Sequence, residues 1–291
     1  MKIFNNTNQL KKTISKYLIS DKTIGFVPTM GALHDGHLKL ITTSLKETDI
    51  TICSIYINPT QFNNLNDLNN YPKNHSEDLN KLKNVGCNIV FIPNNKEMYG
   101  NKLESNNYNL GNCLTVLEGQ KRPGHFNGML TIVEKLFSIV SPNKAYFGIK
   151  DFQQSWIIKQ LLISTNSPII LREIETVRDP SGLALSSRNQ HLTKNELISA
   201  TKIFTALSDF KMHVHMFFSK STKDLTNNNL KKHINQVKSN LSNDTLIKID
   251  YFEVIDIENF SFAKNLKHNK QYRALIAAYV GETRLIDNIL I

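Results

Sequence analysis

The chain has 291 residues, 40% of them hydrophobic and 21% charged, with a formal net charge of +10 at pH 7 and a mean hydropathy of -0.30. No apolar run approaches the roughly 18 residues that cross a bilayer, and three cysteines (Cys53, Cys87, Cys113) without CxxC spacing argue against a disulfide framework or a zinc ribbon. The start, MKIFNNTNQLKKTISKY, has neither a continuous hydrophobic segment nor a small-residue cleavage site, so a cytoplasmic location is expected.

In chain order, TIGFVP (23–28) predicts a buried strand, GHLKLITTSLKE a helix, and ITICSIYIN (50–58) a second buried strand. SEDLNKLKNVG predicts a helix ending at Gly86, and CNIVFIP a third strand. GMLTIVEKLFSIVSP carries Met129, Ile132, Val133, Leu136, Phe137 and Val140 at helical spacing. AYFG predicts a short strand, DFQQSWIIKQLLIS a helix, and PIILREIETV another strand. Helical segments follow around 193–240, then the strand LIKIDYFEVID and a hairpin, YRALIAAYV-GE-TRLIDNILI, with Gly281 in its turn. The Asn- and Lys-rich tracts QFNNLNDLNNYPKN and LTNNNLKKHINQ read as compositional bias.

Alternation of strands and helices over the first two thirds implies an α/β fold: a doubly wound, Rossmann-like parallel sheet whose ligands sit beyond the carboxyl ends of the strands. The change of pattern places a domain boundary near residue 178, giving a 1–178 domain and a smaller α+β domain, 179–291.

The segment PTMGALHDGH (28–37) joins a strand to a helix. Gly31 and Gly36 permit close backbone approach, and a helix starting near Gly36 or His37 would aim free N–H groups and its positive dipole end at an anion. His34 and His37 would hydrogen-bond phosphate oxygens and supply positive charge as a phosphate reacts. The chain has no GxxxxGK[ST], and GALHDG does not match GxGxxG. Polar clusters at other loops and helix starts are placed to converge on a ligand: Asn58 and Gln61 in SIYINPTQFN, Arg122 and His125 in GQKRPGHFNG, Lys150, Asp151 and Gln154 in YFGIKDFQQ, and Ser186, Ser187 and Arg188 in ALSSRNQHL.

The HxGH segment resembles the signature of the nucleotidyltransferase superfamily. Together with YPKNHSEDL, LEGQKRPGHFNGMLTIVEKLFSIVSPNKAYFGIKDFQQ and GLALSSRN, it is similar to the motif set of the pantoate-beta-alanine ligase family across most of residues 24–192. That resemblance implies an ATP-dependent condensation of pantoate with β-alanine through an enzyme-bound pantoyl adenylate, releasing AMP and pyrophosphate. It implies an ATP site at Met30, Gly31, Ala32, Leu33, His34, Asp35, Gly36 and His37, with His37 as proton donor. Gly148, Ile149, Asp151 and Val177 would frame the adenosine, and Leu185 would join them at the nucleotide. Lys150, Ser186, Ser187 and Arg188 would stabilise charge on the phosphates. Gln61 and Gln154 would bind pantoate, supported by Asn58, Arg122 and His125. Mg²⁺ would accompany ATP, with Glu77 and Asp78 as weak candidate ligands, and the second domain would act as a lid over the nucleotide.

Three positions depart from the family pattern: Ile149 stands where glutamate is common, Lys73 where arginine is common, and Pro180-Ser181 where an acidic residue precedes the glycine. The resemblance also implies a homodimer. Two rival readings are another HxGH nucleotidyltransferase, which would need no amine, and a basic nucleic-acid-binding protein, for which the chain lacks interleaved basic and aromatic residues. His213 and His215 alternate but sit in a helical pattern with no evident third ligand, so metal binding is not expected there.

Overall fold

The apolar runs of the first two thirds form six short strands: β1 Lys2–Phe4, β2 Ile24–Thr29, β3 Ile50–Ile55, β4 Ile89–Phe91, β5 Lys144–Gly148 and β6 Ile170–Ile174. They pair in parallel in the order β1-β4-β3-β2-β5-β6 in a computed structural model that describes residues 1–291, the Leu65 side chain excepted. Between them run α1 Thr7–Ile19, α2 Asp35–Glu47, α3 Leu65–Asn69, α4 His75–Asn84, α5 Asn95–Tyr99, α6 Glu118–Lys121, α7 His125–Val140 and α8 Phe152–Ser164. Successive residues of a strand face opposite sides. Phe26 accordingly meets Phe137 of α7, ring centroids 6.3 Å apart, whereas Val27 packs in one cluster with Leu40 and Ile41 of α2 and Leu82 of α4. Helices thus cover both faces, as the α/β reading expects.

The strand order reverses between β2 and β5, because the chain runs from β2 outward to β3 on one side and later sets β5 on the other. These two strands register only at Gly25–Lys144 and Phe26–Ala145, so their carboxyl halves are unpaired with each other. In a doubly wound sheet that is where a ligand crevice opens. Gly25 is needed for the packing above it: a Cβ there would lie 2.1 Å from Ser44 Oγ of α2.

The chain divides into two compact units, Met1–Thr176 and Val177–Ile291. In the second, α9 Lys194–Lys220 and α10 Asn227–Ser242 pack on an antiparallel sheet made of β7 Ile247–Asp256, β8 Ser261–Phe262, β9 Tyr272–Val280 and β10 Thr283–Leu290, in the order β10-β9-β7-β8. Ile203, Leu207 and Phe210 of α9 and Leu230 and Leu241 of α10 share a core with Phe252, Val254, Ala274, Ile276 and Ala278. The β9–β10 hairpin turns at Gly281, φ +57°. Among the described residues, no helix is long and apolar enough to cross a membrane.

Two sequence expectations change. β3 ends at Ile55 rather than 58, because Tyr56–Phe62 leave the sheet to form the short 3-10 turn Pro59–Gln61. The first asparagine-rich tract also has a structural role beyond bias. Side-chain oxygens of its Asn64 and Asn74 cap α3 and α4, as Asn6 and Asn94 elsewhere cap α1 and α5, each accepting a first-turn backbone N–H.

Candidate active site

The loop after β2 reaches the crevice through two successive residues in the left-handed region, Gly31 (φ +85°) and Ala32 (φ +51°). Asp78 of α4 holds that conformation: its Oδ2 accepts the Ala32 N–H at 2.9 Å and its Oδ1 the Leu33 N–H at 2.7 Å. Lys81, one turn on, donates to the Leu33 carbonyl at 2.7 Å and pairs with Glu77 at 2.6 Å.

His34 is the N-cap of α2 and His37 its third residue, with ring centroids 4.1 Å apart. His34 Nδ1 accepts the Gly36 N–H at 3.2 Å, and His37 Nδ1 accepts the His34 N–H at 3.3 Å. The His37 N–H donates to the His34 carbonyl at 2.8 Å. The amides of Ala32, Leu33, Gly36 and His37 therefore all have protein acceptors in the free protein.

A neutral imidazole that accepts at Nδ1 carries its proton on Nε2, so both histidines have a donor on the nitrogen turned away from the helix cap. Burial, then the Lys150 cation, lowers His34 to about 4. Burial, then His34 and Lys150, lowers His37 to about 3. Both shifts favour the neutral imidazole in the free protein. The cation here is Lys150, in the 3-10 turn Ile149–Asp151 after β5, 19% exposed and 3.7 Å from Asp151 Oδ1.

Gln61 is a buried hub. Its Nε2 donates to Met30 Sδ at 3.0 Å, its Oε1 accepts from Asn58 Nδ2 at 3.1 Å, and its backbone carbonyl accepts from His125 Nδ1 at 2.7 Å. Met30, expected in the ATP loop, and Gln61, expected to bind pantoate, are thus adjacent. Asn58 is 1% exposed, and its amide is engaged throughout: Nδ2 donates to Gln61 and to the Gly128 carbonyl, while Oδ1 accepts from Thr60 and Tyr99. In the free protein it positions Gln61, with both donors and both acceptor sites of its amide engaged. His125, bound through Nδ1 to a carbonyl, must carry its proton there, leaving Nε2 as an acceptor; its tautomer is opposite to that of the other two histidines. Burial, then Arg122, lowers it to about 4.

The two adjacent glutamines of α8 divide their tasks. Gln153 is buried and ties down the preceding loop, donating to the Cys113 and Val116 carbonyls and accepting the Glu118 N–H. Gln154 is half-buried and its side chain makes no hydrogen bond among the described residues, so its amide is open to a ligand. Arg122 ends α6, three residues before His125 begins α7. Ile149 is buried, so the departure from glutamate places an apolar side chain in the protein rather than removing a charge from solvent.

In the second unit, the Leu185 N–H donates to the Val177 carbonyl at 3.0 Å, closing a small loop. Asp179 Oδ1 holds its tip through the Ser181 and Leu183 amides, which absorbs Pro180-Ser181 into a tight turn with Gly182 at φ +90°. Ser186 then caps the turn Ser187–His191, accepting the Arg188 N–H at 3.3 Å.

No group of three or more His, Cys, Asp or Glu side chains able to hold a metal occurs among the described residues. Asp78, a weak magnesium candidate, is 2% exposed with both oxygens on backbone amides, and Glu77 pairs with Lys81. The residues present do not form a protein cage for magnesium.

The family model described as pantoate-beta-alanine ligase matches residues 2–290. The chain is 41% identical over 290 residues to the pantothenate synthetase of Christiangramia forsetii, covering 99% of each, and 38% identical over 291 residues to that of Thermosipho africanus, covering all of both. The crystal structure of pantothenate synthetase from Thermus thermophilus superposes with a TM-score of 0.89 at 29% identity over 99% of each chain. The pantoate-beta-alanine ligase of Francisella tularensis, complexed with beta-gamma ATP and beta-alanine, superposes with a TM-score of 0.78 at 36% identity, over 100% of this chain and 97% of that one. A family match over nearly the whole chain, joined to a fold and a histidine-bearing crevice of the expected kind, places the chain in the pantoate-beta-alanine ligase family of C–N bond-forming ligases.

Proposed function

We propose that this chain condenses pantoate with β-alanine, using ATP, through an enzyme-bound pantoyl adenylate. A carboxylate is a poor acyl donor, so its oxygen first attacks the α-phosphorus of ATP, the bond to pyrophosphate breaks, and pyrophosphate leaves. The β-alanine amine then attacks the acyl carbon, the acyl–phosphate C–O bond breaks, AMP departs, and the nitrogen loses a proton. The observation that carries this reading is the pair of neutral histidines at the switch point of the sheet, each held at Nδ1 so that Nε2–H is the available donor, beside Lys150. Such donors stabilise charge that grows on phosphate oxygens without reorganising as it grows.

In this reading His34, His37 and Lys150 bind the phosphates. His37 acts as a hydrogen-bond donor to the leaving group through Nε2–H, its Nδ1 being engaged with the His34 N–H. Gln61 and Gln154 receive pantoate, since amides recognise a hydroxyl and a carboxylate without adding charge. Asn58 fixes Gln61, and Arg122 and His125 support the same pocket. Ser186, Ser187 and Arg188 on the phosphates, Gly148, Ile149, Asp151, Val177 and Leu185 at the nucleoside, and the lid role of the second unit belong to the same proposal. Magnesium brought in with ATP would supply charge neutralisation at the phosphates, a role that would need no protein cage. The complex of the Francisella tularensis ligase with beta-gamma ATP and beta-alanine supports ATP and β-alanine as substrates here.

Product analysis tests the reading. Purified protein with ATP, magnesium, pantoate and β-alanine should yield pantothenate, AMP and pyrophosphate in equal amounts. Formation of ADP, or turnover that is indifferent to β-alanine, would contradict it.

A further inference from the structure

The turn Gly31-Ala32 has no intrinsic preference for its shape, because a non-glycine residue at φ +51° is strained and persists only where its surroundings impose it. Those surroundings are one face of α4. Asp78 lies in the first turn of that helix, where the dipole favours a carboxylate, and its two oxygens take two consecutive loop amides. A Cβ on Gly31 would come within 3.0 Å of Asp78 Oδ2, so the turn is pressed directly against the carboxylate. Lys81, one turn further, fixes the carbonyl of Leu33, the residue before His34, and Glu77 orients the Lys81 ammonium. The backbone of Ala32 and Leu33 is thus held by two side chains that lie one turn apart on a single helix.

We infer that α4, through Asp78 and Lys81, is the positioning element that sets where His34 and His37 meet the nucleotide. The inference rests on the function proposed above, and it makes Asp78 and Lys81 positioning residues with no contact to the reacting atoms. The acidic segment that resembles a metal-binding candidate is, in this role, a brace for the loop.

Variants at both positions and two independent readouts test it. Lys81 is 34% exposed, so Lys81→Met keeps the fold. It should raise KM for ATP about tenfold and leave KM for pantoate within about twofold, with Lys81→Arg restoring most of the ATP affinity. Asp78→Asn sets an NH₂ against one of two backbone N–H donors; hydrogen exchange at the Ala32 and Leu33 amides should accelerate about tenfold while exchange in β3 is unchanged. An unaltered ATP KM in Lys81→Met, an equal rise in both KM values, or unchanged exchange in Asp78→Asn would overturn the inference. If the wild-type protein shows no pantoate-dependent pyrophosphate release, the proposed function fails, while the exchange measurement still reads the clamp itself.

Discussion

At the scale of single residues, the proposed chemistry turns on where three imidazoles keep their protons. His34 and His37 carry theirs on Nε2, facing away from the cap they form, and His125 carries its own on Nδ1. Replacing His37 with alanine removes one donor and the acceptor that holds the His34 amide. Turnover should fall roughly 10²- to 10³-fold with the fold retained by circular dichroism; near-normal turnover would remove His37 from the mechanism. Burial of neutral imidazoles also has a pH signature. His34, His37 and His125 are lowered from 6.5 to about 4, 3 and 4, so between about pH 6.5 and 4 the unfolded chain binds more protons than the folded one. Stability therefore falls as pH drops through that window. The unfolding midpoint should decline on acidification, less steeply in His125→Gln than in wild type; parallel curves would show that His125 is not held neutral. The HxGH spacing made the two loop histidines legible in the sequence. Their charge state was not, because it depends first on burial, which only the folded chain creates, and then on charges such as Lys150, more than a hundred residues away in sequence.

At the scale of elements, the proposed pantoate pocket depends on how closely α7 approaches the turn Pro59–Gln61. Gly128 sits where a Cβ would lie 2.3 Å from the Thr60 carbonyl oxygen and 2.8 Å from the Gln61 amide nitrogen, and its own carbonyl accepts from Asn58. Helix propensity alone predicts that Gly128→Ala stabilises α7 by about 1 kcal/mol. Packing predicts the reverse: the helix must shift, costing about 1–3 kcal/mol and moving Gln61. A lowered melting temperature with a raised KM for pantoate is expected; a more stable protein with unchanged KM would contradict the packing account. Long periodic elements such as α7 and α2 were legible because their apolar spacing is set by the core. The contacts of α4 with the Ala32 and Leu33 backbone and the engagement of Asn58 were not. Each pairs a side chain with backbone groups distant in sequence, and no spacing rule encodes such a pair.

At the scale of the whole molecule, two units with separate cores follow one another along the chain, the first built on a parallel sheet and the second on an antiparallel one. The change of hydrophobic pattern made this organisation legible. Short strands such as β1 and β8 were not, because two or three residues carry no period. The family resemblance implies a homodimer, so light scattering should return twice the 33.2 kDa chain mass; a mass of one chain at assay concentration would contradict that expectation. The central claim, adenylyl transfer from ATP to pantoate before the amine reacts, is tested most directly by pyrophosphate release with and without β-alanine. The account predicts a pantoate-dependent burst close to one equivalent per site without the amine, and steady turnover once it is added. Absence of the burst, with release requiring β-alanine from the first turnover, would contradict it.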